Sequence, residues 1–168
     1  MFGVDPQVRA GNSRVWELAA TDLPSAFDLF TGRRLFLGSG DIGSTEGDVF
    51  LTGPPGSTDL RLRSIASLLR AEASHVVGLQ DLGAIDFDSL GEAPEDGYVD
   101  AEDSSGVRVE QGHVYVLSVV RPSVGAPNYA KLVVDAVGSS GAGPDRQFVD
   151  FRYAVQLQPG NRGLDEEG

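Results

Sequence analysis

No cysteine occurs anywhere in the 168 residues. Disulfide frameworks, thiol nucleophiles and thiolate metal sites are therefore excluded. Basic residues are also scarce. Thirteen Lys and Arg face 25 Asp and Glu, for a formal net charge of −12. A nucleic-acid partner needs cationic side chains against its phosphates, so this balance excludes one, and it disfavours an anionic membrane surface for the same reason. No apolar run approaches the roughly 18 residues that would span a bilayer. The opening Met1-Phe2-Gly3-Val4-Asp5 has neither a basic start nor an apolar stretch, so no secretory signal is expected within this chain. That leaves a cytosolic protein or an exported one whose leader lies elsewhere.

What is present points to strands. The 22 Gly and 9 Pro suit many tight turns, and 40% hydrophobic residues suffice for a core. Val15-Trp16-Glu17-Leu18-Ala19, Phe27 to Phe30, Arg34 to Leu37, Asp48 to Leu51, Asp59 to Leu62 and His75 to Leu79 each read as a short strand, and Ile85 to Phe87 as a further candidate. Gly53-Pro54-Pro55-Gly56 reads as a turn, since paired prolines cannot donate to a ladder. Ser64 to Ala73 has Ile65, Leu68 and Leu69 at helical spacing and admits one short helix.

The C-terminal third is clearest. His113 to Val120 is apolar on both faces, as a central strand is. Tyr129 to Val137 places Ala130, Leu132, Val134 and Ala136 on one face. Phe148 to Leu157 places Val149, Phe151, Tyr153, Val155 and Leu157 on one face, with Asp150, Arg152 and Gln156 opposite. The linkers are too short for crossover helices, so an antiparallel meander is expected. The fold class that follows is all-β, an antiparallel β-sandwich or jelly-roll-like domain with at most one or two short helices. Its expected bounds are 14–158, with a loose lead-in over 1–13 and a fraying tail over 159–168.

The strongest compositional signal is a gap in positive charge. Between Arg70 and Arg108 lie Glu72, Asp81, Asp86, Asp88, Glu92, Glu95, Asp96, Asp100, Glu102 and Asp103, with no Lys or Arg among them. One reading is a solvated loop that confers solubility. The other is a Ca²⁺ site, with Asp86, Asp88, Glu92, Glu95 and Asp96 as the ligand candidates, because calcium takes six to eight oxygens. An EF-hand is excluded, since Leu90 stands at the third ligand position and Gly97 at the closing one.

Gly38-Ser39-Gly40-Asp41-Ile42-Gly43 matches a dinucleotide pattern but runs into a strand, so it reads as a turn-forming loop. His75 and His113 stand at strand starts and read as hydrogen-bonded strand-end residues, with a shared metal or haem site as the alternative. Tyr98 in the acidic stretch and Tyr129, facing away from the Ala130/Leu132/Val134 row, are candidates for exposed rings that stack on a sugar. No Ser-His-Asp order or nucleophile elbow occurs.

Gly112-His113-Val114-Tyr115-Val116-Leu117 followed by Tyr129-Ala130-Lys131-Leu132-Val133-Val134 resembles a strand pair in uncharacterised secreted bacterial β-sandwich modules. Phe27-Asp28-Leu29-Phe30-Thr31-Gly32 and Gly40-Asp41-Ile42 look like the opening of the same modules, and a similar strand pair occurs in haem-capturing surface lipoproteins. The resemblance covers about a third of the chain. It implies a sandwich fold and an extracellular or cell-surface setting, and it carries no catalytic residue across. The function expected is a non-catalytic binding module with a glycan or matrix ligand, supported by calcium. A self-assembling subunit of a filament, coat or surface layer, and a hydrolase with a carboxylate site, remain open alternatives.

Overall fold

A computed structural model describes residues 8–18, 20, 23–36, 47–53, 59–65, 75–99, 106–122, 124–139 and 147–165. The strands are β1 (Val8–Trp16), β2 (Ala26–Asp28), β3 (Arg33–Leu35), β4 (Val49–Thr52), β5 (Arg61–Ser64), β6 (Val76–Asp81), β7 (Val107–Arg108), β8 (Val114–Val120), β9 (Asn128–Ser139) and β10 (Gln147–Gln156). They form two five-stranded sheets, ordered β1-β10-β9-β8-β6 and β3-β2-β4-β5-β7. Every pairing is antiparallel. The two sheets make a β-sandwich, and no helix among the described residues is long and apolar enough to cross a membrane.

The meander expected of the last three strands is present as β8-β9-β10. Their alternating apolar rows supply Tyr115, Leu117, Val119, Ala130, Leu132, Val134, Val149, Phe151, Tyr153 and Val155 to the core. Phe27 meets this row from the other sheet, with its ring edge-on to Phe151 at 5.0 Å and to Tyr153 at 5.1 Å. That cross-sheet cluster fastens the layers, since large rings bury more apolar area than any other side chain.

Most strand bounds shift by a few residues from the sequence expectation, and some segments differ more. The lead-in is shorter than residues 1–13, because β1 already begins at Val8. Its Arg9-Ala10-Gly11-Asn12-Ser13 stretch lacks apolar alternation and is held by backbone pairing to β10. At Gly11 a Cβ would lie 2.8 Å from the Tyr153 hydroxyl, so any larger residue there would displace the Tyr153 ring. Ile85–Phe87 is not a strand. Asp86 accepts the Asp88 N–H at 3.1 Å and the Ser89 hydroxyl at 2.7 Å, which turns the chain instead.

The described part of the tail packs back on the domain. Leu164 is fully buried against Ala93 and Tyr129, and its N–H bonds Gly91 at 2.9 Å. Leu157 ends past β10 and is exposed, so it is outside the core row. The helix expected within 64–73 and the loop of Gly38 to Gly43 fall on residues outside those described, apart from Ser64 and Ile65.

Candidate functional site

Residues 82–99 of the acidic stretch form a loop over the outer face of the sheet that contains β9. Val99 bridges Leu79, while Leu90, Ala93 and Tyr98 pack with Tyr129 and Leu164. Beneath the loop sits Lys131, the only lysine of the chain. Its Nζ donates to the carbonyls of Phe87 at 2.7 Å and Leu90 at 3.1 Å, and it lies 4.4 Å from the centre of the Phe87 ring. The loop therefore holds an ammonium of the protein's own at the place where an external cation was expected.

Asp86, Asp88, Glu92, Glu95 and Asp96 are all exposed, and among the described residues no three of them converge. Asp86 is held below the usual carboxylate range by the Ser89 hydroxyl and then the Asp88 amide. Glu92 lies 3.6 Å from Arg162. Asp100, Glu102 and Asp103 are outside the described residues.

Tyr98 and Tyr129 do come together, with ring centres 6.2 Å apart. They do not form an exposed platform. Tyr129 is only 8% exposed, because the loop covers the face that would otherwise meet water. The Tyr98 hydroxyl donates to Pro94 at 2.8 Å, and burial raises its pKa. A covered sheet face was not foreseeable from strand alternation alone.

The histidines occupy opposite ends of the β6–β8 pair, as the register of Val76 with Val120 and Asp81 with Tyr115 requires. His113 pairs with Asp81 at 3.0 Å on the surface. Both histidines are thus hydrogen-bonded strand-end residues, and they do not share a site. His75, however, belongs to a cluster that sequence reasoning missed.

Three strand ends bring Asp28, Asp48 and His75 together. Asp28 closes β2, Asp48 precedes β4 in the same sheet, and His75 precedes β6 in the opposite sheet. All three are buried, and one potential ligand atom from each lies within 4.8 Å of the others. His75 Nδ1 is 2.6 Å from Asp48 Oδ1, and Asp48 Oδ2 accepts the Leu29 N–H at 2.7 Å.

Asp28 is fixed by the turn that follows it. Its Oδ1 accepts the Phe30 N–H at 2.9 Å and its Oδ2 accepts the Thr31 hydroxyl at 2.9 Å. Gly32, at φ +72°, closes the hairpin in a conformation that favours glycine.

Electrostatically the cluster is short of positive charge. Asp48 is 0% exposed, and among the described residues no Lys or Arg pairs with it or with Asp28. Burial pushes the Asp48 carboxyl up, against the hydrogen bond and charge of His75. Burial pulls His75 down. The Asp48 hydrogen bond, with the charges of Asp48 and Asp28, outweighs that and leaves it above its ordinary value. Both shifts favour the protonated form of their group, and Nδ1 and Oδ1 stand within hydrogen-bond distance of each other.

The cluster opens on a pocket of about 440 Å³ lined by Asp28, Phe30, Thr31, His75, Arg121, Pro122 and Val124. The His75 ring stands edge-on to Phe30, with centres 5.7 Å apart. The sequence signal available for the cluster was an acid set directly against apolar residues, in Ala26-Phe27-Asp28-Leu29 and Asp48-Val49-Phe50-Leu51. An acid so placed is buried with a partner or not at all.

Comparison of the chain with known family models, curated proteins and solved structures returns no match.

Proposed function

We propose that the protein is a non-catalytic binding module whose ligand site is this pocket, and that a divalent transition-metal ion on Asp28, Asp48 and His75 supports it. The observation that carries the reading is the buried cluster itself: two carboxylates and one imidazole with ligand atoms within 4.8 Å and, among the described residues, no Lys or Arg paired to either acid. Two buried carboxylates with one imidazolium leave a net negative charge out of water, which is unfavourable. A divalent ion with a neutral imidazole brings the same cluster to zero.

The donor set selects among cations. Calcium prefers six to eight oxygens, whereas one nitrogen and two carboxylates suit zinc or a neighbouring first-row ion. Metal bonds of about 2.0–2.2 Å hold their ligands about 3 Å apart, so the Asp48–His75 contact opens slightly as the proton leaves. A binding role fits better than hydrolysis because the Thr31 hydroxyl, on the pocket wall, donates to Asp28 and so is not presented to His75 as a nucleophile.

Titration calorimetry with zinc chloride and, separately, calcium chloride tests the proposal. One zinc per chain is expected, with calcium much weaker. Asp48→Asn keeps an acceptor for the Leu29 amide, and it should weaken zinc at least tenfold, as should His75→Gln. No zinc uptake by the wild type, or uptake indifferent to both substitutions, would overturn it.

A further inference from the structure

We infer that the pocket takes a small monocarboxylate with an apolar body, recognised jointly by the metal and by Arg121; the metal half of this rests on the proposal above. Arg121 directly follows β8 and lines the same pocket as His75 and Asp28. Its guanidinium lies over the Phe30 ring at 4.4 Å, and His75 meets that ring edge-on. The arginine and the metal cluster therefore share one aromatic wall.

Arg121 is pre-organised. Its Nε and Nη2 both donate to Asn128 Oδ1, at 3.2 and 3.1 Å. Asn128 is itself fully buried, and its Nδ2 donates to the Gln156 carbonyl at 2.9 Å. Stacking on one face and bonding along one edge hold the fork in place. Its Nη1 has no partner among the described residues. Planar guanidinium groups match carboxylates through adjacent N–H groups.

Charge sets the ligand's valence. Asp28, Asp48 and a divalent ion sum to zero, so Arg121 leaves the loaded pocket at +1, which one monoanion neutralises. A chain of net charge −12 repels anions at long range, and only local positive charge can hold one. Phe30, Pro122 and Val124 supply apolar walls for the ligand's body. The volume of about 440 Å³ falls in the lower part of the usual range for small-molecule sites.

The test titrates benzoate, with benzamide as its neutral isostere, into the zinc-loaded full chain. Benzoate should saturate, and benzamide should bind at least tenfold more weakly. Arg121→Gln should weaken benzoate at least tenfold with zinc affinity no weaker than wild type, since it removes a cation beside His75, and Arg121→Lys should fall between. Equal binding of benzoate and benzamide, no benzoate binding at zinc saturation, or full affinity in a folded Arg121→Gln variant would overturn the inference. The wild-type comparison of the two probes needs no variant to fold.

A wild-type chain that takes up no zinc would fail the metal reading separately. Benzoate is then titrated into the metal-free chain. Binding that Arg121→Gln removes would keep the anion site and end only the metal's part in it. Binding that the substitution leaves intact, or no binding, would end both.

Discussion

A carboxylate's surroundings decide what it does more than the number of acids beside it in the chain. Asp86 and Asp48 show the contrast. Asp86 sits among many acids, is exposed, and spends its oxygens on its own turn. Asp48 is followed by no acid until Asp59, is fully buried, and faces a histidine from the other sheet. Asp150 is a third case. Arg14 donates to both its oxygens, at 2.5 and 2.8 Å, and stacks over Phe148 at 3.8 Å.

The Arg14 hydrogen bond holds the Asp150 carboxyl below its ordinary value. A lowered folded value means its stabilisation is complete above the unfolded value of about 3.9 and is lost as pH falls through the folded one. With the pair a third to two-fifths exposed, solvent screening limits its contribution. Asp150→Asn should therefore destabilise by about 0.5–1 kcal/mol near neutrality. In urea melts the gap from wild type should shrink as pH drops from about 5 towards 2. A gap that stays constant with pH would assign the effect to something other than the ion pair.

Elements differed in how far the sequence revealed them. β9 and β10 were legible because apolar residues alternate along them, and β8 because burial on both faces writes a continuous apolar run into the chain. β1 was legible only at Val15 and Trp16, since its polar half is specified by the partner strand rather than by its own pattern. The Asp28–Asp48–His75 cluster was not legible, because its members stand 47 positions apart end to end and meet only when two sheets stack. The acidic loop was visible as composition, but its anchor was not. Lys131 lies on a strand face that alternation assigns to solvent, and the loop converts that face into an interior.

Replacing Lys131 with Met keeps the stem and strands two carbonyls. The expected cost is about 1–3 kcal/mol, felt locally. Amide exchange should quicken at Ala93, Val99 and Leu164, whose N–H groups tie the loop to Arg162, Leu79 and Gly91. Amides of the β9–β10 ladder should be unchanged. Uniform acceleration through both sheets would show that the loop is part of the sandwich's cooperative core.

For the molecule as a whole, the position of the cluster matters more than its strength. Asp28 and Asp48 belong to one sheet and His75 to the other, so an ion bound to all three ties the two layers at one end. The unfolded chain holds these residues 20 and 27 positions apart and offers no comparable site. Binding to the folded state alone stabilises it by about 2.7 kcal/mol at free zinc a hundredfold above Kd. For a chain of this length that corresponds to a rise in Tm of roughly 5–10 °C.

The rise should vanish in Asp48→Asn and persist in Lys131→Met, because Lys131 anchors the loop and touches none of the three ligands. Calcium at the same concentration should leave Tm nearly unmoved, since the cluster offers too few oxygens. A zinc-induced shift of equal size in Asp48→Asn would place the ion elsewhere and detach the sheet-tying effect from this cluster. An ion that binds without raising Tm would be held as tightly by the unfolded chain, and would not be the ion that joins the two sheets.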